Sequence, residues 1–249
     1  MYAGRGVVSR KAGKTHEEAR ERTREALFRA GAAMLTETAA RNPFAAIRIR
    51  ELCERAEYST GAFYAHWPNA QAFYQELSDH FMGEVLVEDF DELQSRAREG
   101  AERPGADAVL ELAELDLRVL LGNPHWDAVE LLNLTLARTT EREPAVRGYR
   151  ALDALTGQTY QLLMEPLGRE PRPPLTWEGI GIVLQALVEG FGFRAKVDSD
   201  PLELSGLAHP SLYAQTVAAV LASLTRPRGD RRDLQQSLED ELRPPPKRS

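Results

Sequence analysis

Ile47-Arg48-Ile49-Arg50-Glu51-Leu52-Cys53-Glu54-Arg55-Ala56-Glu57-Tyr58-Ser59-Thr60-Gly61-Ala62-Phe63-Tyr64-Ala65-His66-Trp67 reads as two short helices meeting at a tight turn. Ile49, Leu52, Cys53 and Ala56 recur at i, i+3, i+4 and i+7, one face of an α-helix. Glu57 and Tyr58 make the turn. Ser59 or Thr60 then caps a second helix, because a hydroxyl there accepts from an unpaired first-turn N–H. That second helix ends near Pro68. Its mixture of Thr60, Gly61, Tyr64 and His66 is not what a helix built only for a core would carry. Two helices joined in this way form a helix-turn-helix, whose second helix lies in the DNA major groove.

The segment resembles the DNA-binding part of the tetracycline-repressor-like (TetR) family of bacterial transcription regulators. The residues that carry the resemblance are Ile49-Arg50-Glu51-Leu52, Ser59-Thr60-Gly61, Phe63-Tyr64-Ala65-His66-Trp67 and Asn69-Ala70-Gln71-Ala72-Phe73. The match covers roughly residues 25–75. Glu57 stands where the family mostly has Gly, Tyr58 where Val is usual, and Ala70 where a Lys often touches a phosphate. The resemblance implies a cytoplasmic homodimer that binds a double-stranded DNA operator, acts as a repressor and is released by a small-molecule effector. It also implies an effector pocket and a two-fold four-helix dimer interface in the body.

Working outward, 249 residues with 43% apolar content suffice for one or two domains with a real core. No run approaches the ~18 apolar residues of a membrane span, and the basic N-terminus is followed by no apolar stretch of a secretory signal. The single cysteine, Cys53, leaves no internal disulfide or multi-cysteine metal site, and its apolar helix position reads as core. A cytoplasmic location fits these features. The net charge of −7 is unevenly spread. Residues 1–80 carry 12 Lys+Arg and 10 Asp+Glu, net +2, whereas residues 81–249 carry 19 and 28, net −9. A mildly basic front on an acidic body suits a small DNA-binding head on a part that does not touch DNA.

The expected fold is all-α: a three-helix helix-turn-helix head and a C-terminal helical bundle. Residues 1–16 read as a flexible basic arm, 17–68 as the head, 69–225 as the ligand-binding and dimerisation domain, and 226–249 as a disordered tail. The first helix should begin near Thr15 to Glu18 and end at Asn42-Pro43. Leu27, Met34 and Phe44 should pack under Ile49, Leu52 and Phe63. A fourth helix should run to about Leu93, followed by a polar loop over 94–106. Further helices are expected over 107–121, 125–140, 143–164, 176–196 and 211–224, with a proline-rich loop over 166–174. Interior glycines Gly179, Gly181, Gly190 and Gly192 each cost roughly 1 kcal/mol relative to alanine and imply close approach of another helix. No strand-like alternation is present.

Arg48 and Arg50, at the start of the first short helix, can reach phosphates as charged forks. Lys14 lies in the basic arm. Ser59 and Thr60 offer hydroxyls and helix N–H groups to a phosphate or base edge, Gly61 permits close backbone approach, and Ala62 can touch a thymine methyl. Tyr64 and His66 can bond phosphates, as the equivalent positions of the family commonly do. Phe63 and Trp67 read as core. Trp126, Asn133, Tyr160, Met164 and Phe191 are candidates for an apolar effector pocket with polar anchors. Ile180, Val183, Leu184, Leu187, Val217, Val220 and Leu221 are candidates for the dimer interface. The histidines are scattered, so no metal site or cofactor is expected, and no nucleophile or acid-base set supports an enzyme. A second reading is an all-α ligand-binding or interaction protein that has lost specific DNA binding; Glu57, Ala70 and the acidic balance favour it.

Overall fold

A computed structural model describes residues 6–41, 48–136, 143–198 and 211–243. In chain order the elements are α1 (Gly6–Arg41), α2 (Ile49–Arg55), α3 (Thr60–His66), α4 (Ala70–Ala101), α5 (Ala106–Gly122), α6 (Trp126–Leu136), α7 (Glu143–Met164), β1 (Arg169–Pro171), α8 (Trp177–Val197), α9 (Leu212–Leu224), β2 (Thr225–Pro227) and α10 (Leu234–Glu241). The fold is all-α, with one two-stranded ribbon among the described residues. The chain divides into two compact units, Met1–Met82 with His125–Val146 and Gly83–Pro124 with Arg147–Ser249. The division falls within α4 rather than at residue 69, and the first unit also takes in α6.

The first unit is closed by aromatic packing. Phe63, Phe73, Leu27, Leu52 and Leu77 have no exposed surface, and Trp67 and Cys53 are buried as their helical spacing predicts. Phe28, Phe63 and Phe73 surround Trp67 at centroid distances of 5.7, 5.2 and 5.0 Å. Fully burying one such ring contributes roughly 1.5–3 kcal/mol, so this cluster holds the short helices that could not persist alone. Gly31 lets α1 approach α4: a Cβ there would meet Phe73 Cζ at 3.0 Å. The α6 helix packs on α1, and the His125 ring stacks on Phe81 at 5.1 Å. Met34 is buried as expected, whereas Phe44 and the Asn42-Pro43 stop lie outside the described residues.

In the second unit α5 is the central helix, burying Val109, Leu112, Ala113, Leu115 and Leu120 against neighbours that include α8 and α9. The α7–α8 crossing is tighter still. A Cβ on Gly157 would run into the Trp177 carbonyl, and one on Gly181 into the Asp153 carbonyl. Gly192 admits Leu120 in the same way, but Gly179 and Gly190 have no such neighbour. Two of the four α8 glycines therefore serve close helix approach.

Four expectations are corrected. Helix α1 begins at Gly6, not near residue 15, so Lys14 lies on helical backbone; two glycines cost too little to stop a segment otherwise rich in Arg, Lys and Ala. Helix α4 continues through the supposed loop to Ala101, because Phe90, Leu93 and Ala97 extend its buried stripe. The proline-rich loop contains β1, antiparallel to β2 with Arg169 opposite Pro227 and Pro171 opposite Thr225. The supposed disordered tail contains β2 and α10. The last of these is started by a capping box in which Asp233 accepts from the Gln236 backbone and the Gln236 side chain accepts from the Asp233 backbone. Arg172, buried at 5% exposure, pins this region by donating to the Ser223, Thr225 and Arg232 carbonyls and to Asp230. Such long-range pairing has no periodic signature in the sequence.

Candidate functional site

The turn between α2 and α3 is a Schellman closure. Tyr58 N–H donates to the Cys53 carbonyl at 2.9 Å and Glu57 N–H to the Glu54 carbonyl at 3.3 Å. Glu57 occupies the left-handed position of this motif, with φ +61°. Glycine is the usual residue there because a Cβ costs roughly 1–2 kcal/mol. The turn geometry is thus kept, with strain, by a residue other than glycine. Ser59, in extended backbone, caps α3 by accepting from Ala62 N–H at 3.1 Å, which leaves its hydroxyl hydrogen to donate.

Ser59, Thr60, Gly61 and Tyr64 form an exposed surface on α3, and Ala62 and His66 are half-buried beside them. Tyr64 is 56% exposed, its ring resting edge-on against Phe63 at 5.3 Å. Gly61 has open space around it; an added Cβ would meet only Ser59 Oγ, at 3.6 Å. The fold therefore requires neither an aromatic at 64 nor a glycine at 61. Partial burial, followed by the nearby positive charge of Arg20 and Arg24, pushes the His66 pKa below its usual value. His66 is accordingly a neutral hydrogen-bonding group at pH 7, not a charged one. Arg48 is exposed. Arg50 is also exposed, and it donates to Glu54 at 2.8 Å; such a surface pair is worth little and yields readily to a phosphate. The side chain of Lys14 lies outside the described residues. Sequence reasoning missed Arg20, which α1 carries close enough to His66 to act on it; nothing in the spacing of one basic residue on a long polar helix marks it out.

The five expected pocket residues divide between the two units. Trp126 and Asn133 belong to the first unit, and Tyr160, Met164 and Phe191 to the second. Trp126 is 3% exposed and donates to Glu130 at 3.2 Å. Tyr160 and Met164 are 1% and 3% exposed, core positions that periodicity alone does not separate from a pocket wall. The polar centre of the second unit is Asp116 on α5, which that reading overlooked. Its carboxylate accepts from Tyr213 Oη at 2.8 Å and from Tyr160 Oη at 3.4 Å. Burial pushes the Asp116 pKa up to about 6, the two tyrosines pull it down, and Asp89 adds to the rise. Elsewhere in this unit a groove of about 420 Å³ is lined by Arg96, Asp107, Leu110, Glu111, Glu114, Leu115 and Arg118, with none of the five among them.

The expected dimer residues also divide. Ile180, Leu184, Val217 and Leu221 are at most 1% exposed within a single chain, so they pack inside it and have no surface for a second copy. Val183 is exposed, and Leu187 and Val220 are half-buried. The large exposed apolar residues of α8 are Ile182, Val183, Phe193 and Val197, the last two 63% and 70% exposed. Among the described residues no group of three or more His, Cys, Asp or Glu is arranged to hold a metal ion, and no helix is long and apolar enough to cross a membrane.

No protein-family model matches the chain, and no curated protein matches it. Solved structures do. The reduced form of NemR from E. coli is 19% identical with a TM-score of 0.56, and the match covers 82% of this chain and 98% of that one. A TetR transcription regulator from Haloarcula marismortui is 15% identical with a TM-score of 0.56, over 82% and 98% of the two chains. The fold of this chain is that of TetR-type transcription regulators.

Proposed function

We propose that this chain is a TetR-type transcription regulator: a homodimer that binds an operator through α2 and α3 and is released from it by a small-molecule effector. The observation that carries the reading is the surface of α3. Ser59, Thr60, Gly61 and Tyr64 are all exposed, and the fold requires neither the glycine nor the aromatic, yet they sit on a fully buried aromatic base. An exposed helical glycine beside an exposed aromatic costs stability, and close approach of a nucleic-acid backbone gives both a use. In this reading Arg48, Arg50 and Arg20 supply phosphate contacts, Lys14 adds one from α1, and Ala62 faces a thymine methyl. The exposed apolar strip of α8 supplies the two-fold contact between copies. Effector binding in the second unit favours a state in which α4, which has residues in both units, re-spaces the paired heads; only a ligand of different affinity for the two states can do this.

Glu57 loses its weight as support for a protein without DNA binding, because it completes the turn instead of disrupting it. The direct test is selection of bound sequences from random duplex DNA at two salt concentrations. A palindromic motif at both is expected, with affinity falling steeply as salt rises. Tyr64→Ala should weaken binding to that motif by roughly tenfold or more, the scale of one lost charged hydrogen bond, and leave the dimer intact. A folded dimer that enriches no sequence would support the ligand-binding reading instead.

A further inference from the structure

Helix α3 runs on into α4 through only Trp67, Pro68 and Asn69, and Trp67 is where its helical backbone ends, at φ −126° and ψ 129°. The Trp67 ring is 2% exposed and enclosed by Phe28, Phe63 and Phe73. Ring packing of this kind fixes distances well but directions poorly, since apolar surfaces slide on one another. The directional contact of the indole is its N–H, which donates to Glu76 Oε2 on α4 at 2.5 Å. The other oxygen of Glu76 is paired with Arg24 of α1. Arg24 is held in turn by Glu21 at 3.0 Å and lies over the Phe28 ring, 5.6 Å from its centroid. One carboxylate thus joins α1, α4 and the end of α3.

We propose that Glu76 is a positioning residue that sets the pitch of the recognition helix by bracing the Trp67 indole against α1 and α4. The inference rests on the regulator reading for its consequence but not for its geometry. With Glu76 removed, the aromatic cluster still closes, while the buried indole N–H loses its acceptor, which a buried donor tolerates poorly. Helix α3 then relaxes in rotation relative to α4. Specific DNA contacts, which depend on the angle at which Tyr64 and its neighbours meet the groove, suffer more than non-specific phosphate attraction.

The test uses the full-length protein with Glu76→Leu, Glu76→Gln, Trp67→Phe and the Trp67→Phe/Glu76→Leu double variant. The chain has three tryptophans, so Trp67→Phe assigns the Trp67 indole N–H resonance. In Glu76→Leu that resonance should move towards the position of a free indole and the backbone amides of residues 60–66 should shift. Operator affinity should fall roughly tenfold, as for a hydrogen bond to a charged group, with unchanged affinity for random DNA. Glu76→Gln keeps an acceptor and should restore both the amide positions and most of the affinity. The double variant should lose no more than the worse single one. Wild-type operator affinity in Glu76→Leu, or fully additive losses, would overturn the proposal. If the wild-type protein enriches no operator, the regulator reading fails, and the amide resonances still decide the brace: unmoved residues 60–66 in Glu76→Leu would sink it.

Discussion

Gly61 on α3 and Gly181 on α8 are both helical glycines, in regions with opposite surroundings. Around Gly61 there is open space, and around Gly181 the backbone of α7 fills the place a Cβ would take. The polar residues follow the same division. Those of α3 point outward over an apolar base, whereas Asp116, Tyr160 and Tyr213 bond one another inside the second unit. Where a costly residue answers no need of the fold, its explanation lies in a partner. Where the fold needs it, no partner need be invoked.

The sharpest way to break this comparison is to put alanine at both glycines. Gly181→Ala forces a methyl into the Asp153 carbonyl and should destabilise the protein by about 3 kcal/mol or more, since backbone must move. Gly61→Ala should leave stability unchanged or raise it by up to about 1 kcal/mol while weakening operator binding. Paired thermal and DNA-binding titrations measure both; equal stability losses at the two sites would erase the distinction.

Asp116 gives a smaller effect. Its folded pKa of about 6 lies above the ordinary 3.8, so between these values the folded state binds more protons than the unfolded one. Its contribution to stability is therefore greatest below pH 4, declines as pH rises to 6 and is flat above. Asp116→Asn keeps an acceptor for both tyrosines and removes the titration. The variant should be more stable than wild type at pH 7.5 by roughly 2–3 kcal/mol, at about 1.4 kcal/mol per pKa unit, and denaturant titrations at pH 4.5 and 7.5 should show the advantage shrinking at the lower pH. A constant difference at both would mean that Asp116 does not titrate in this range.

The smallest effect is expected at the turn. Glu57→Gly relieves a left-handed residue and should stabilise the first unit by about 1 kcal/mol, visible as a rise in the denaturation midpoint. Because the turn already has its Schellman geometry, operator affinity should stay near wild type. A large change in affinity would show that Glu57 acts on DNA directly.

Most of the helices were legible in the sequence because their signals are local. The i, i+3, i+4 stripes and the Ser59 cap each act within one or two turns, and α5, α7, α8 and α9 lie within two residues of their expected limits. The buried Phe63 and Trp67 and the exposed Tyr64 were readable for the same reason. What failed was polarity used as a sign of disorder: residues 94–101 continue α4 on a buried stripe, and the charged C-terminal segment is tied down by Arg172 and Asp230.

By itself the sequence determined the helical content, the helix-turn-helix and the outward chemistry of α3, since these follow from backbone hydrogen bonding and side-chain spacing along one segment. Only the tertiary structure decided which apolar residues of α8 and α9 stay inside the chain, that Asp116 meets two tyrosines and that Glu76 reaches Trp67 and Arg24. Those outcomes depend on which helix faces which, and two residues of the same character at the same spacing become core or surface according to what another helix lays against them.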